Sequence, residues 1–195
     1  MKKIPTLFER VFEEHNIKNV LPNITPGCET VLEKGLATIK IDGSCCAIID
    51  GAFYKRYDAK GKSIPDDAIP CQDEPDPITN HFPCWVPCDR TNPADKWFWV
   101  AYDNAVAYNM ELKDGTYEAI GPHFQSNPYN LEKDIIEPHG IRVVEVERTF
   151  EGIKKYLEDN YIEGLVFWVD GKPICKIKRS DFGLSWKTTK NRRCL

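Results

Sequence analysis

The spacing of apolar residues changes several times along the chain, and each change marks an expected element. Leu7, Val11, Phe12 and Ile17 recur at helical intervals with Glu9, Glu13 and Glu14 between them, which predicts an amphipathic helix over 7–17. From Gly35 the run Leu36-Ala-Thr-Ile-Lys-Ile reads as a strand, and Cys46-Ala-Ile-Ile-Asp-Gly-Ala-Phe-Tyr-Lys-Arg-Tyr reads as a hairpin turning at Asp50-Gly51. Helices are expected over 95–110, behind a cap at Asn92-Pro93, and over 150–158. Strands are expected over 115–120, 142–146, 162–169 and 174–177. Short strands with three helices and no internal repeat predict an α+β domain built on antiparallel sheets.

Between these elements, residues 58–93 hold seven prolines, at positions 65, 70, 75, 77, 83, 87 and 93. That is too long for a passive connector and reads as a structured functional insertion.

Composition narrows the class. With 195 residues, 42% of them hydrophobic, the chain suffices for a single domain spanning 1–195. No apolar stretch reaches membrane-spanning length, and the start lacks the apolar run of a secretory leader, so a cytoplasmic protein without membrane attachment is expected. The eight cysteines are irregularly spaced and read as reduced thiols; Cys45, Cys46 and Cys175 lie in apolar runs, where cysteine acts as a small hydrophobe.

The net charge of −4 is unevenly distributed: from Lys172 onward eight basic residues face one acid, Asp181, for +7, leaving −11 on the rest. Such an end is either a solvated tail or an electrostatic footprint for a polyanion.

The candidate chemistry starts at Lys40-Ile-Asp-Gly-Ser, which in isolation is usually a surface turn. It is followed by Tyr54-Lys55-Arg56, Tyr117-Glu118-Ala119-Ile120-Gly121-Pro122, Glu163-Gly164-Leu165-Val166 and Lys176-Ile177-Lys178, each at or near the end of an expected strand. Together these supply a nucleophilic amine, cations for phosphates, carboxylates for ribose and metal, and apolar strands to wall a base. Lys176 and Lys178, two apart on a strand, share one face.

This ordered series resembles the covalent nucleotidyltransferase superfamily of ATP-dependent ligases and capping enzymes, whose Lys-x-Asp-Gly motif opens a set of strand-borne motifs. The Glu-x-x-Gly-Pro form at 118–122, with Gln125 and Asn127-Pro128 behind it, is more similar to RNA ligases. The segment His81-Phe-Pro-Cys-Trp-Val-Pro, with Asp95-Lys-Trp beyond, resembles a small family of 5′-to-3′ RNA ligases found in viruses, microbes and animals; the likeness covers about 36–186.

The resemblance implies a nucleotidyltransferase core, ATP-grasp-like, of two antiparallel sheets flanked by helices; DNA ligases and capping enzymes of that superfamily continue into an oligonucleotide-binding domain, and as a departure from them none is expected here. It also implies that Lys40 is the nucleophile toward the α-phosphate of ATP, with Lys176 and Lys178 as catalytic cations. Nucleotide binding would fall to Lys40, Asp42, Arg56, Glu118, Glu163, Val166, Lys176 and Lys178. Within that set Arg56 binds phosphate, Glu118 the ribose and Val166 one adenine face. Lys55 is open between a phosphate contact and an exposed strand position.

Glu163 would hold Mg²⁺ or Mn²⁺, since the donors are oxygens rather than thiolates. Arg56, Arg179, Lys187 and Lys190 are the expected nucleic-acid contacts. The expected partners are ATP and RNA with 5′-phosphate and 3′-hydroxyl ends, acted on by a monomer in a repair-type sealing reaction. A DNA ligase, a guanylyltransferase or a non-catalytic RNA-binding protein keeping the fold remain the alternatives.

Two further features stay open. His81, Cys84 and Cys88, with Cys71 nearby, have an imperfect zinc-ligand spacing in which Pro83 and Pro87 disturb the geometry. Trp85, Trp97 and Trp99 suit core or lid packing more than base stacking.

Overall fold

The computed structural model describes residues 2–13, 16–77 and 79–186. It is an α+β protein dominated by antiparallel strands, with two compact units. One is built on Asp42–His139; the other combines Ile4–Ile41 with the segment that begins at Gly140. No helix among the described residues is long and apolar enough to cross a membrane.

In the second unit, β1 (Phe8–Glu13) and β2 (Asn16–Ile24) form a two-stranded antiparallel ribbon. This corrects the helix expected over 7–17. Leu7 and Val11 are four apart, which suits a helix, but the adjacent pair Val11-Phe12 also fits a strand, and cross-strand pairing of Phe8 with Ile24 and Arg10 with Val20 decides the matter. Local spacing alone does not separate these outcomes.

The same unit holds a four-stranded sheet in the order β10 (Val143–Val144), β3 (Leu36–Lys40), β11 (Gly164–Val169) and β12 (Lys172–Lys178). Alternation along these strands gives the sheet two unlike faces. Ala37, Leu165, Phe167, Cys175 and Ile177 are buried in a core shared with Leu7, Phe8, Val31, Ile153 and Leu157. Each large apolar side chain buried there contributes roughly 1.5–3 kcal/mol.

Ile153 and Leu157 come from α2 (Phe150–Asp159), which starts where the Thr149 hydroxyl accepts the Gly152 N–H. The outer edge of β12 is covered: the Lys176 N–H donates to Pro5 O at 3.0 Å, and Leu7 N–H donates to Lys176 O at 2.7 Å.

The first unit is a six-stranded sheet in the order β6 (Ile69–Pro70), β7 (Pro83–Pro87), β5 (Ala52–Asp58), β4 (Ser44–Ile49), β8 (Gly115–Ile120) and β9 (Ile135–Pro138). The β4–β5 hairpin turns at Asp50 and Gly51, both left-handed with φ of 50° and 75°, as its sequence requires. The 58–93 insertion contributes β6 and β7 to this sheet and buries Ala59, Phe82 and Cys84 beneath it.

One face packs on α1 (Lys96–Ala107) through Cys46, Ile48, Phe53, Ala101, Ala105, Tyr117, Ala119 and Ile136. Asn92 caps the short 3₁₀ turn ahead of α1, its side chain accepting from Ala94 N–H at 3.0 Å with Pro93 in the first position.

Candidate functional site

On the four-stranded sheet, the face opposite the core carries the expected phosphate-handling residues. Gly164 pairs with Lys40 on one side and Lys178 on the other, so the three form a row across the sheet. The next row on that face is Thr38, Val166 and Lys176. Strand β12 runs so close to Gly164 that a Cβ there would lie 2.1 Å from Ile177 O, which explains a glycine between the two lysines.

Glu163, only 6% exposed, reaches from the residue before β11 toward both cations. Its Oε2 accepts from Lys40 Nζ at 2.5 Å, and its Oε1 lies 3.4 Å from Lys178 Nζ. Lys40, Val166, Lys176 and Lys178 are all half-buried.

On the six-stranded sheet, the face opposite α1 brings together a different set. Cys45 pairs with Glu118, which pairs in turn with Glu137. Arg56, on the neighbouring strand β5, lies on the far side of Cys45, and its positive charge acts on the thiol. Burial, and next the Glu118 charge, push the Cys45 thiol up to about 12, against the opposing pull of Arg56.

Glu118, 8% exposed, is held from two directions: Oε1 accepts from Gly43 N–H at 3.1 Å, and Oε2 lies 2.8 Å from His139 Nε2. The other ring nitrogen of His139 lies 3.0 Å from the Thr116 hydroxyl. Donor atoms of Cys45, Glu118 and His139 all fall within 4.8 Å of one another.

The Asp42-Gly43 backbone is fixed from the same unit. Asp42 N–H donates to the Tyr129 hydroxyl at 2.7 Å, and a Cβ on Gly43 would lie 2.2 Å from Ala119 O, so only glycine lets the chain pass. Tyr129 sits in a loop where Gln125, Ser126 and Asn127 are all left-handed, with φ of 42°, 63° and 53°. Asn127 braces that loop by donating to Leu131 O and accepting Leu131 N–H, each at 2.9 Å. Three consecutive non-glycine residues in this region are strained, and the bracing holds them.

Several expectations are corrected. Lys55 lies on the α1 face and pairs with Asp95, which is 1% exposed and also accepts Asp89 N–H at 3.0 Å. Its cation is committed to the helix start, so it is neither a phosphate contact nor an exposed strand position.

Arg179 is 7% exposed, with its guanidinium donating to Leu157 O, to Asn160 O at 2.9 Å and to Ser185 O at 2.9 Å. It satisfies the last carbonyls of α2 and lies over the Tyr161 ring, so it is not presented to a polyanion. Lys187 and Lys190 lie outside the described residues.

His81, Cys84 and Cys88 do not converge: His81 pairs with Asp58, Cys84 donates to Phe82 O, and Cys88 packs in the α1 core. Trp85 is buried and Trp99 packs against Phe53, whereas Trp97 is stacked on His123 at 3.3 Å. His139, Tyr129 and Thr116 are additions that no short motif in the sequence signals.

No protein-family profile matches the chain. RNA ligase 1 of Danio rerio is 27% identical over 137 residues, which cover 54% of this chain and 42% of that protein. RNA ligase 1 of Rattus norvegicus is 25% identical over 240 residues, covering 81% of this chain and 73% of that protein. The chain therefore spans less than half of the first relative and about three quarters of the second. By these comparisons, the chain is distantly similar to two proteins named RNA ligase 1.

Proposed function

We propose that the protein is an ATP-dependent 5′-to-3′ RNA ligase with a nucleotidyltransferase core, in which Lys40 carries AMP as a covalent intermediate. The observation that carries this reading is Glu163 joined to Lys40 at 2.5 Å and to Lys178 at 3.4 Å on the open face of β3, β11 and β12, in a chain distantly similar to RNA ligases.

A lysine attacks only as the free amine. Glu163 holds the Lys40 ammonium at rest, and once that carboxylate turns away, the neighbouring cationic strand disfavours a further positive charge. The Lys40 nitrogen then forms a bond to the α-phosphorus of ATP as the bond to the β-phosphate oxygen breaks. Pyrophosphate departs with the electron pair, and the amine proton is lost. Lys176 and Lys178 sit on the strand face that meets the developing charge.

In the second step an RNA 5′-phosphate oxygen attacks the same phosphorus. The P–N bond breaks, Lys40 regains a proton, and a 5′-5′ pyrophosphate forms. In the third step a 3′-hydroxyl attacks the RNA phosphate, loses its proton and expels AMP, and each displacement is in line. Arg56, Glu118 and Val166 keep the phosphate, ribose and adenine roles that the family resemblance gives them, with Asp42 in the nucleotide set.

The hard oxygens of Glu163, already directed at two ammonium groups, suit Mg²⁺ or Mn²⁺ in the same place, and it is the residue that would hold the ion. When bound, such an ion supplies neutralisation of phosphate charge.

Intact mass of the purified protein after incubation with ATP and magnesium tests the first two steps together. A gain of one adenylyl group, lost on adding 5′-phosphorylated RNA with formation of joined product, is the expected result. No gain refutes the intermediate. A gain with GTP instead indicates a capping-type enzyme, and AMP capture with sealing of DNA but not RNA indicates a DNA ligase.

A further inference from the structure

The geometry points to a second metal site, formed by Cys45 Sγ, Glu118 and His139 Nε2, that binds Zn²⁺ and through it shuts off nucleotide capture at Glu118. The three donors come from β4, from β8 and from the residue after β9, so neighbouring rungs of one sheet fix their separation. All their donor atoms lie within 4.8 Å of one another, and they form the one such cluster of three or more His, Cys, Asp or Glu residues among the described residues.

The donor set is nitrogen, oxygen and sulfur, which suits Zn²⁺, whereas the oxygens of Glu163 suit Mg²⁺. Three protein ligands leave a fourth position for water or a phosphate oxygen.

Two of the three ligands are also oriented from outside the cluster. Thr116 engages His139 Nδ1 at 3.0 Å, which directs Nε2 toward Glu118 at 2.8 Å. Gly43 N–H holds Oε1 of Glu118 at 3.1 Å and leaves Oε2 facing the imidazole. Such outer contacts are what a metal site uses to fix ring and carboxylate geometry.

A coordinated thiol ionises, because the dication favours the thiolate. Binding forms a Zn–S bond and releases the Cys45 proton to solvent, along with the Nε2 proton where His139 carries one. Thiolate and carboxylate then balance the dication, and Arg56 leaves a surplus positive charge beside it.

Competition with ATP rests on the ribose role proposed for Glu118; metal binding itself does not. The test uses the full chain, reduced and without a histidine tag, titrated with Co²⁺ while the thiolate-to-cobalt charge-transfer absorption is followed, and with Zn²⁺ against a chromophoric chelator. One equivalent bound with a thiolate band is expected. Cys45→Ser should abolish the band, and His139→Ala should weaken Zn²⁺ binding by at least about tenfold.

Absence of the band in the wild type, or the same band and affinity in both variants, overturns the site. Unchanged circular dichroism and thermal melting establish that either variant is folded. In the second arm, Zn²⁺ added to ATP and magnesium should suppress the adenylyl mass gain in the wild type and at least about tenfold less effectively in Cys45→Ser. Metal binding without suppression upholds the site and overturns the competition. An absent mass gain under all conditions refutes the ligase reading and leaves the cobalt result standing.

Discussion

Lys40 and Lys55 each end on a carboxylate, one in each unit, and the two pairs differ in what surrounds them. Lys55 reaches Asp95 on the α1 side of the six-stranded sheet, where the carboxylate is 1% exposed and a backbone N–H of Asp89 takes its other oxygen. Lys40 reaches Glu163 on the open side of the four-stranded sheet, where a second lysine takes the other oxygen. A backbone partner makes the first carboxylate part of the scaffold, whereas a cationic partner makes the second exchangeable, because phosphate can replace it on both ammonium groups. The same pair of residue types is thus locked into the scaffold in one unit and open to exchange in the other.

Substitutions that set the two pairs against each other give the largest effects. Lys40→Ala should cut adenylyl capture by at least about a thousandfold, read by intact mass, while the urea midpoint stays within about 0.5 kcal/mol of wild type. Asp95→Ala should do the reverse, lowering unfolding free energy by about 3 kcal/mol because it strands the Lys55 ammonium and an N–H donor. If Asp95→Ala lost adenylylation at full stability, the contrast between the pairs would be wrong.

Arg179→Ala should cost about 2 kcal/mol in thermal unfolding, since the carbonyls of Leu157, Asn160 and Ser185 lose a charged donor, with RNA affinity little changed. Tyr129→Phe removes the acceptor of Asp42 N–H and should slow adenylylation about fivefold, or about 1 kcal/mol, with unchanged melting.

The smallest effect lies in the proline-rich segment. Asp76 is held down to about 2 by the backbone N–H and hydroxyl of Thr79, then by Lys3. A depressed carboxylate stabilises the fold above its unfolded pKa of ~3.9, and that contribution is lost as pH falls through about 2. Asp76→Asn should therefore reduce stability by under about 1 kcal/mol at neutral pH, with the difference vanishing in acid.

Much of the fold was readable wherever a local rule and the tertiary environment agree. β8 matches its expected span of 115–120, α2 ends one residue from expectation, and Asp50-Gly51 turns the hairpin. The ribbon of β1 and β2 was not readable, because its pairing depends on residues with helix-compatible spacing. β9 has no readable signal, being a two-residue apolar run in a short strand that ends at Pro138.

The grouping of Lys40, Glu163 and Lys178 was anticipated by motifs that stand in order along the chain. His139, Thr116 and Tyr129 were not, since their roles arise from strand register and from a left-handed loop. Arg179 and Lys178 are neighbours in a basic run, yet one ends inside a helix cap and the other on the open face. Charge counting cannot distinguish them.

The covered edge of β12 has a practical corollary. Both backbone hydrogen-bonding groups of Lys176 are occupied by Pro5 and Leu7, so the main chain beneath this cation is splinted by residues near the start of the sequence. Trimming those few residues, or displacing them with a bulky amino-terminal fusion, removes no reactive group but leaves a bare strand open to self-association. Expression vectors for this protein should carry their tags elsewhere.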